Sequence, residues 1–176
     1  TDNSVSVVKS FNDERIRLIQ NKYNIGFSPN LDRATETATG DYFILLSSDD
    51  LMKPSALEEY NKIISNFTSD NSNLVIMSGY EVIDGEGDIS IPNKNSKSGD
   101  IIRYIEETGK ANYFDELKNI EIYDGIFILK GLLTHSFQPA GAFLTTCYSK
   151  GLYDKVEGYN NVMCVLPDAH FSHKLC

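Results

Sequence analysis

The stretch "GDYFILLSSDDLMKP", residues 40–54, decides the fold class. Residues 42–46 form an apolar run of the kind that fills a buried strand. Two serines follow, and then two adjacent carboxylates, Asp49 and Asp50. Pro54 suits the first turn of a helix, where its missing N–H is not needed. The stretch therefore predicts a strand that leads through an acidic turn into a helix.

The same alternation continues on both sides of this stretch. Strands are predicted at residues 15–20, 42–46 and 73–77, and helices at residues 4–11, 31–39 and 54–66. Helices that alternate with strands favour a layered α/β domain with a mixed, largely parallel central sheet. Residues 24–30 are predicted to be a loop, residues 84–100 a flexible loop or flap, and residues 101–110 and 113–118 short helices. No linker divides the sequence, so we expect residues 1–176 to form a single domain.

Composition excludes several classes of protein. The chain has 176 residues, of which 41% are hydrophobic and 23% charged, with a net charge of −9. No cluster of Lys and Arg is dense enough to neutralise a phosphate backbone, so nucleic acid is not an expected partner. No apolar run approaches the roughly 18 residues of a membrane span. The three cysteines lack a CxxC spacing and suit free thiols in a reducing compartment. We expect a cytoplasmic location.

The acidic pair has two interpretations. Asp49 and Asp50 can be turn and cap residues, since Asp is favoured beside a helix N-terminus. They can also hold a divalent cation, because hard carboxylate oxygens suit Mg²⁺ or Mn²⁺, and such a cation can bridge a diphosphate. Ligands of open α/β sheets bind beyond the carboxyl ends of the strands, where this pair is expected. Spacing alone does not decide between the two.

A longer stretch that includes the pair resembles a known family. "NKYNIGFSPNLDRATETATGDYFILLSSDDLMKPSALEEY", residues 21–60, is similar to the core of the family 2 glycosyltransferases, whose consensus runs roughly N-x-G-x-S-x-A-R-N-x-G-I-x-x-A-x-G-E-Y-I-x-x-L-D-x-D-D-x-x-x-P. The positions that agree are Asn24, Gly26, Ser28, Ala38, Gly40, Tyr42, Asp49, Asp50 and Pro54. Downstream, "AGAFLTTCYSKGLYDKVEGYNN", residues 140–161, and "LPDAHFSHKL", residues 166–175, resemble the family's later segments in the same order.

The resemblance implies both a fold and a reaction. It implies a GT-A-like, Rossmann-related domain that moves a sugar from a nucleotide-sugar donor to an acceptor hydroxyl with inversion, and that depends on Mn²⁺ or Mg²⁺. It implies a saccharide or lipid-linked saccharide acceptor, as in bacterial surface polysaccharide synthesis, with peripheral association at the inner face of the membrane. The family's first strand and helix would lie before Thr1, so the resemblance implies an N-terminally truncated catalytic domain.

The resemblance also assigns the acidic turn. Asp49 matches the metal-ligating aspartate of the family's D-x-D-D motif, and Asp50 matches the acid after it. Ser47 replaces the motif's first aspartate, which should leave more of the coordination to water and phosphate. Ser47 and Ser48 are therefore expected beside the donor.

Further site residues are carried over in the same way. Asp168 matches the aspartate that serves as catalytic base, although Pro167 stands where a glutamate often precedes it. Asp32 and Arg33 are expected near the donor phosphates, and His170 is a further candidate metal ligand. The opening Thr1-Asp2-Asn3-Ser4 resembles the end of the family's D-G-S-T-D-N-S loop, so Asp2 is also a donor-binding candidate.

Three alternatives stay open. A nucleotidyltransferase of related fold would need a glycine-rich phosphate loop with a basic residue, which the sequence does not show. A receiver-like module could use Asp49 and Asp50 as a Mg²⁺ pocket and Asp84 as the phosphorylated residue, but no lysine ends a following strand. A degenerate glycosyltransferase that only binds is compatible with Ser47 and Pro167.

Overall fold

The computed structural model describes residues 2–66, 74–94, 112–113, 121–122, 125–128, 130 and 145–159. Helices and strands alternate through the N-terminal half, which confirms the mixed α/β class. The elements in chain order are α1 (Ser4–Ser10), α2 (Phe27–Thr37), β1 (Tyr42–Ile44), α3 (Ala56–Asn66), β2 (Val75–Met77), β3 (Tyr80–Ile83), β4 (Ile89–Lys94), β5 (Asn112–Tyr113), β6 (Glu121–Ile122), β7 (Thr146–Ser149) and α4 (Lys150–Lys155).

The central sheet places a strand from late in the chain between two early ones. Its order is β1-β7-β2, and β7 is antiparallel to both neighbours. β1 and β2 therefore run in the same direction, as two strands joined through helix α3 should. They are not adjacent, however, because β7 lies between them. A largely parallel sheet is thus not found in the described part of the chain, where every pair of neighbouring strands is antiparallel.

The sheet carries an apolar core on each face, since alternate side chains of a strand point to opposite sides. Tyr42 and Ile44 pack on the face that also buries Tyr60 of helix α3, together with Ile76 and Cys147. Burial raises the pKa of the Cys147 thiol to about 11, so this free cysteine stays protonated at neutral pH. One face of the sheet is thereby covered by α3.

The opposite face is covered by α2 and α4. Phe43 and Leu45 of the β1 segment pack there against three buried tyrosines. The Phe43 ring meets the Tyr148 ring edge to face, with 4.2 Å between centroids. Leu31 of α2 and Val156, just after α4, complete this cluster. The described chain is therefore layered as helix, sheet, helix, in agreement with the prediction.

Helix α2 begins earlier than predicted. Its N-cap is Gly26, whose φ of 89° lies in the left-handed region that favours glycine. Pro29 falls in the first turn, where proline is tolerated. The loop predicted at residues 24–30 therefore ends at Gly26, and the helix predicted at residues 31–39 spans Phe27–Thr37 instead.

The strand predicted at residues 15–20 is wrong. These residues have no regular secondary structure, and their side chains are exposed. A strand needs a neighbour to satisfy its N–H and C=O groups, and no strand in the described ranges pairs with this one. The Arg17 guanidinium instead donates a hydrogen bond to the carbonyl oxygen of Thr37 at the end of α2.

The loop predicted at residues 84–100 is partly a hairpin. Strands β3 and β4 pair through a tight turn in which the Asp84 Oδ1 accepts the N–H groups of Glu86 and Asp88, at 2.9 and 3.0 Å. Gly87 adopts a φ of 89° in this turn. The prediction is therefore wrong for Ile89–Lys94.

Two further predictions concern the middle of the chain. The helix predicted at residues 101–110 lies outside the described residues. Tyr113, the first residue of the helix predicted at 113–118, belongs instead to strand β5, which pairs with β6. None of the helices in the described ranges is both long and apolar enough to span a bilayer.

Candidate functional site

The acidic pair lies in a turn that follows strand β1. Asp49 is exposed and Asp50 half-buried, and the Asp50 N–H donates to the Ser47 carbonyl oxygen over 3.3 Å. Ser47 and Ser48 are exposed in the same turn. The turn thus presents the Asp49 carboxylate and two hydroxyls to solvent beyond the carboxyl end of β1, with the half-buried Asp50 beside them, as the sequence predicts. The predicted cleft beside the pair stays a prediction.

Nothing in the described structure neutralises this pair. Neither carboxylate makes a side-chain hydrogen bond or an ion pair with another described residue. Lys53, the cationic residue nearest in sequence, is engaged elsewhere, because its Nζ lies 2.6 Å from the Glu81 Oε2 on β3. Adjacent carboxylates repel each other, and a bound divalent cation would remove that repulsion.

The residues present fit a divalent cation as a partial donor set. Two carboxylates with free oxygens suit Mg²⁺ or Mn²⁺, which commonly keep water and phosphate as their other ligands. The described ranges contain no cluster of three or more His, Cys, Asp or Glu side chains that could enclose a metal ion. Any remaining ligands must therefore be water, a bound diphosphate or residues outside those ranges.

Asp32 is held in a structural network between α2 and the end of α4. Its Oδ1 accepts the Tyr153 hydroxyl at 2.6 Å and the Tyr159 backbone N–H at 2.9 Å. Burial, and then the neighbouring Asp32 carboxylate, raises the pKa of the Tyr153 phenol, which keeps its proton and donates it. The role of Asp32 in donor binding stays a prediction. One of its two carboxylate oxygens, Oδ1, is already engaged in these two hydrogen bonds.

Two neighbouring residues shape this network. The Tyr159 hydroxyl shares a hydrogen bond of 2.5 Å with the hydroxyl of Tyr148, which is 1% exposed. Gly158 has a φ of 63°, and a Cβ there would lie 2.8 Å from the Asp32 Oδ1. Any larger residue at position 158 would push against the carboxylate. These contacts were not predicted from the sequence. A glycine at position 158, within the segment of residues 140–161 that resembles the family, nevertheless indicates a tight turn.

Removing the Asp32 carboxylate is expected to destabilise the fold. In Asp32→Ala the Tyr153 hydroxyl and the Tyr159 N–H lose a charged acceptor, and such hydrogen bonds contribute about 1.5–3 kcal/mol each. We expect a loss of about 3 kcal/mol in the free energy of unfolding, measured in urea. Glu36→Ala, an exposed position on the same helix, is the matched control. Equal midpoints for the two variants would contradict the role assigned to Asp32.

Arg33 organises the loop before α2. It donates a hydrogen bond to the Asn21 Oδ1, and the Asn21 Nδ2 in turn donates to the Asn30 Oδ1 at 2.7 Å. Asn21 and Asn30 line an open hollow of about 570 Å³ together with residues 23–27. Neither Arg33 nor the acidic pair is among the residues that line this hollow. The described structure therefore does not place Arg33 and Asp49 in a common cavity.

The remaining predicted site residues are Asp2, Asp168 and His170, together with Asp84 of the receiver-like alternative. Asp2 is exposed, and its Oδ1 accepts the Ser4 N–H at 3.1 Å, which lowers the pKa of the carboxyl group. Its role at the donor stays a prediction. Asp168 and His170 lie outside the described residues, so their predicted roles are not tested. Asp84 is committed to the hairpin turn, which speaks against the receiver-like alternative.

Comparison with known proteins agrees with the resemblance in the sequence. The sequence model of the family described as "Glycosyl transferase family 2" matches residues 1–133. The chain is similar to a protein of Haemophilus influenzae named "Uncharacterized glycosyltransferase", with 36% identity over 89 residues. That match covers 51% of this chain and 26% of the relative, so the chain spans about a quarter of the relative's length. No solved structure matches significantly.

Proposed function

We propose that the chain, which belongs to glycosyl transferase family 2, carries the donor-binding and metal-binding part of an inverting glycosyltransferase. Family membership implies a GT-A-type fold, a nucleotide-sugar donor and an acceptor. The observation that carries the proposal is the turn after β1, where Asp49 and Asp50 have no described side-chain partner. An acidic pair that capped the turn or the following helix would instead accept hydrogen bonds from backbone N–H groups.

The roles in the acidic turn follow from charge. Asp49 and Asp50 would hold Mn²⁺ or Mg²⁺ against the two phosphates of the donor. When bound, the cation offsets the charge that develops on the leaving nucleoside diphosphate. Ser47 and Ser48 would donate their hydroxyls to donor oxygens at the same edge. The Lys53 ammonium pairs with Glu81 in the structure and not with the acidic pair.

The acceptor side requires a base. In an inverting displacement the acceptor hydroxyl attacks the anomeric carbon from the face opposite the leaving diphosphate, and a side chain must take its proton. We assign this role to Asp168, with His170 as an additional metal ligand. Asp168 and Asp49 would then lie on opposite sides of one sugar, on the order of 10 Å apart and out of contact. The base must be within hydrogen-bond reach of the proton on the acceptor hydroxyl, but it does not need to reach the metal ligand.

The transferred group, the acceptor and the location in the cell are proposed from family membership. The transferred group would be a hexosyl unit, and the acceptor a saccharide or a lipid-linked saccharide of a bacterial surface polysaccharide. An acceptor of that kind would place the protein in the cytoplasm, at the inner face of the membrane. Asp2 and Arg33 would contact the donor from the side of α1 and α2.

A donor screen tests the proposed function. The protein is incubated with UDP-, GDP- and dTDP-sugars, with Mn²⁺ or Mg²⁺ and with EDTA as the control, and released nucleoside diphosphate is measured. We expect release from at least one donor, and loss of that release in EDTA. Absence of release from every one of these donors would contradict the proposed function and favour the degenerate alternative, which only binds.

A further inference from the structure

The face of the sheet that α2 and α4 cover contains a closed circuit of contacts around one carboxylate. The Asp32 Oδ1 accepts the hydroxyl of Tyr153 at 2.6 Å. The Tyr153 ring meets the Phe43 ring with 5.6 Å between centroids and an interplanar angle of 76°. Phe43 in turn contacts Tyr148, whose hydroxyl shares a hydrogen bond with that of Tyr159. The Tyr159 N–H returns to the same Asp32 oxygen, so the circuit joins α2, α4, β1 and β7.

The polar half of this circuit fixes how the rings are oriented. A hydrogen bond from a phenol to a carboxylate is charge-assisted, and it restricts rotation of the Tyr153 side chain. Ring pairs favour edge-to-face or offset arrangements over a limited range of orientations. Burial raises the pKa of the Tyr148 and Tyr159 phenols, which keep their protons and bond to each other at neutral pH. Asp32 therefore helps to set the ring orientation that Phe43 packs against.

The chain after α4 is bent sharply where it makes its contact with Asp32. Glu157 and Gly158 have φ angles of 58° and 63°, both in the left-handed region. A residue such as Glu157 adopts this region only where the surrounding structure determines the backbone. A Cβ at Gly158 would lie 2.8 Å from the Asp32 Oδ1 and equally close to the Tyr153 hydroxyl oxygen. The glycine therefore leaves room for the hydrogen bond between those two groups.

The apolar half of the circuit supports the strand that leads to the acidic turn. Phe43 and Leu45 lie on the same face of the β1 segment, and both pack against the buried tyrosines. Leu46 is exposed, so Leu45 is the last residue before the turn that packs in a described core. It precedes Ser47 by two positions. The Asp50 N–H donates to the Ser47 carbonyl oxygen, so the position of Ser47 helps to determine that of Asp50.

We propose that Asp32 is a positioning residue, which holds the acidic turn in place through the buried tyrosines and Phe43. The circuit requires an acceptor oxygen at this point and not a negative charge. The support of the turn rests on the described contacts alone, whereas its consequence for metal binding rests on the proposed function.

Two substitutions at position 32 separate positioning from charge. Asp32→Asn removes the charge but keeps an oxygen that can accept from Tyr153 and Tyr159, whereas Asp32→Ala removes the acceptor. The NMR chemical shifts of the backbone amides of residues 47–50 are compared in the metal-free protein. We expect Asp32→Ala to shift these amides and Asp32→Asn to leave them close to their wild-type positions.

The affinity for Mn²⁺ measures the consequence for the proposed metal site. Free Mn²⁺ is followed by electron paramagnetic resonance while the metal alone is added to the protein. We expect the Kd for Mn²⁺ to rise about three- to tenfold in Asp32→Ala, as is typical of substitutions that act on a site through packed side chains. In Asp32→Asn it should stay within about twofold of the wild type, because the acceptor is retained. Loss of stability alone would not distinguish these two variants in this way.

A second pair of variants tests the same connection without a change at position 32. Tyr153→Phe keeps the ring but removes the hydroxyl that Asp32 accepts. It should shift the amides of the acidic turn, less strongly than Asp32→Ala because the Tyr159 N–H still has its acceptor. Tyr60→Phe is the matched control, since it removes a hydrogen-bonded hydroxyl from a buried tyrosine on the opposite face of the sheet. It should leave these amides unshifted.

Each outcome bears on either the positioning role or the metal site. Turn amides that stay unshifted in Tyr153→Phe and in Asp32→Ala would overturn the positioning role, and Tyr153→Phe alone decides if Asp32→Ala does not fold. Equal effects of Asp32→Asn and Asp32→Ala would assign them to charge and would also overturn it, as would equal shifts in Tyr60→Phe and Tyr153→Phe. A wild-type protein whose turn amides respond as expected but which binds no Mn²⁺ would retain the positioning role and lose only the proposed metal site.

Discussion

Replacing Asp49 by asparagine is expected to lower metal-dependent turnover of the nucleotide-sugar donor by about 100-fold or more. Loss of groups that merely support metal ligands costs about 10- to 100-fold in metal affinity or activity, and Asp49 is proposed as a direct ligand. The fold should be unaffected, because the Asp49 side chain is exposed and makes no described contact. Steady-state release of nucleoside diphosphate at saturating Mn²⁺ measures the effect.

The matched control is Asp41→Asn. Asp41 is also an exposed aspartate, but it precedes β1 and therefore lies at the other end of the same strand. Its substitution should leave turnover within about twofold of the wild type, since exposed substitutions away from a site have small effects. Equal losses in Asp49→Asn and Asp41→Asn would mean that general negative charge, and not a metal ligand, was removed.

Replacing Asp168 by asparagine is expected to lower kcat by about 10²- to 10⁴-fold, which is the contribution of a positioned general base. Donor affinity should change little, because a base acts on the acceptor hydroxyl. Single-turnover kinetics, combined with an equilibrium measurement of donor binding, separates the two quantities.

Asp154→Asn is the control for this variant. Asp154 lies on helix α4, is largely exposed and pairs with Lys150, so its substitution should leave kcat near the wild-type value. Loss of donor binding with turnover preserved in Asp168→Asn would instead make Asp168 a donor-site residue.

Local patterns predicted those elements whose partners are close in sequence. The apolar run at residues 42–46 gave strand β1, and Pro54 marked the approach to α3, which begins at Ala56. Both faces of β1 are packed, which fits a run without polar alternation. The parallel direction of β1 and β2 also follows from the helix between them.

Long-range pairing could not be predicted from such patterns. Strand β7 lies between β1 and β2 in the sheet, although it is about a hundred residues after β1 in the sequence. No local pattern near residues 146–149 indicates which strands it pairs with. At residues 15–20 a strand was predicted from alternating apolar and polar residues, but no described strand pairs with this segment. The hairpin at Asp84 was predictable, because Asp-Gly between apolar runs is a turn signal.

The candidate site was predicted mainly by resemblance. The acidic turn lies where the sequence placed it, beyond the end of β1, with Asp49 exposed and Asp50 half-buried. Asp32 was chosen for its position in the motif, and its bonds to Tyr153 and Tyr159 could not be foreseen, because those partners are far away in sequence. The open hollow lined by Asn21, residues 23–27 and Asn30 was also missed, since it depends on contacts between the loop and helix α2, among them the hydrogen bond from Arg33 to Asn21.

The most direct test of the central claim is calorimetric titration of the protein with UDP and with GDP, each in the presence of Mn²⁺ and each repeated in EDTA. Binding of at least one diphosphate is expected in the wild type and in Asp41→Asn, and it should be lost in EDTA and reduced at least about tenfold in Asp49→Asn. Binding of equal affinity in Asp49→Asn, or binding that persists in EDTA, would contradict a metal site at the acidic turn.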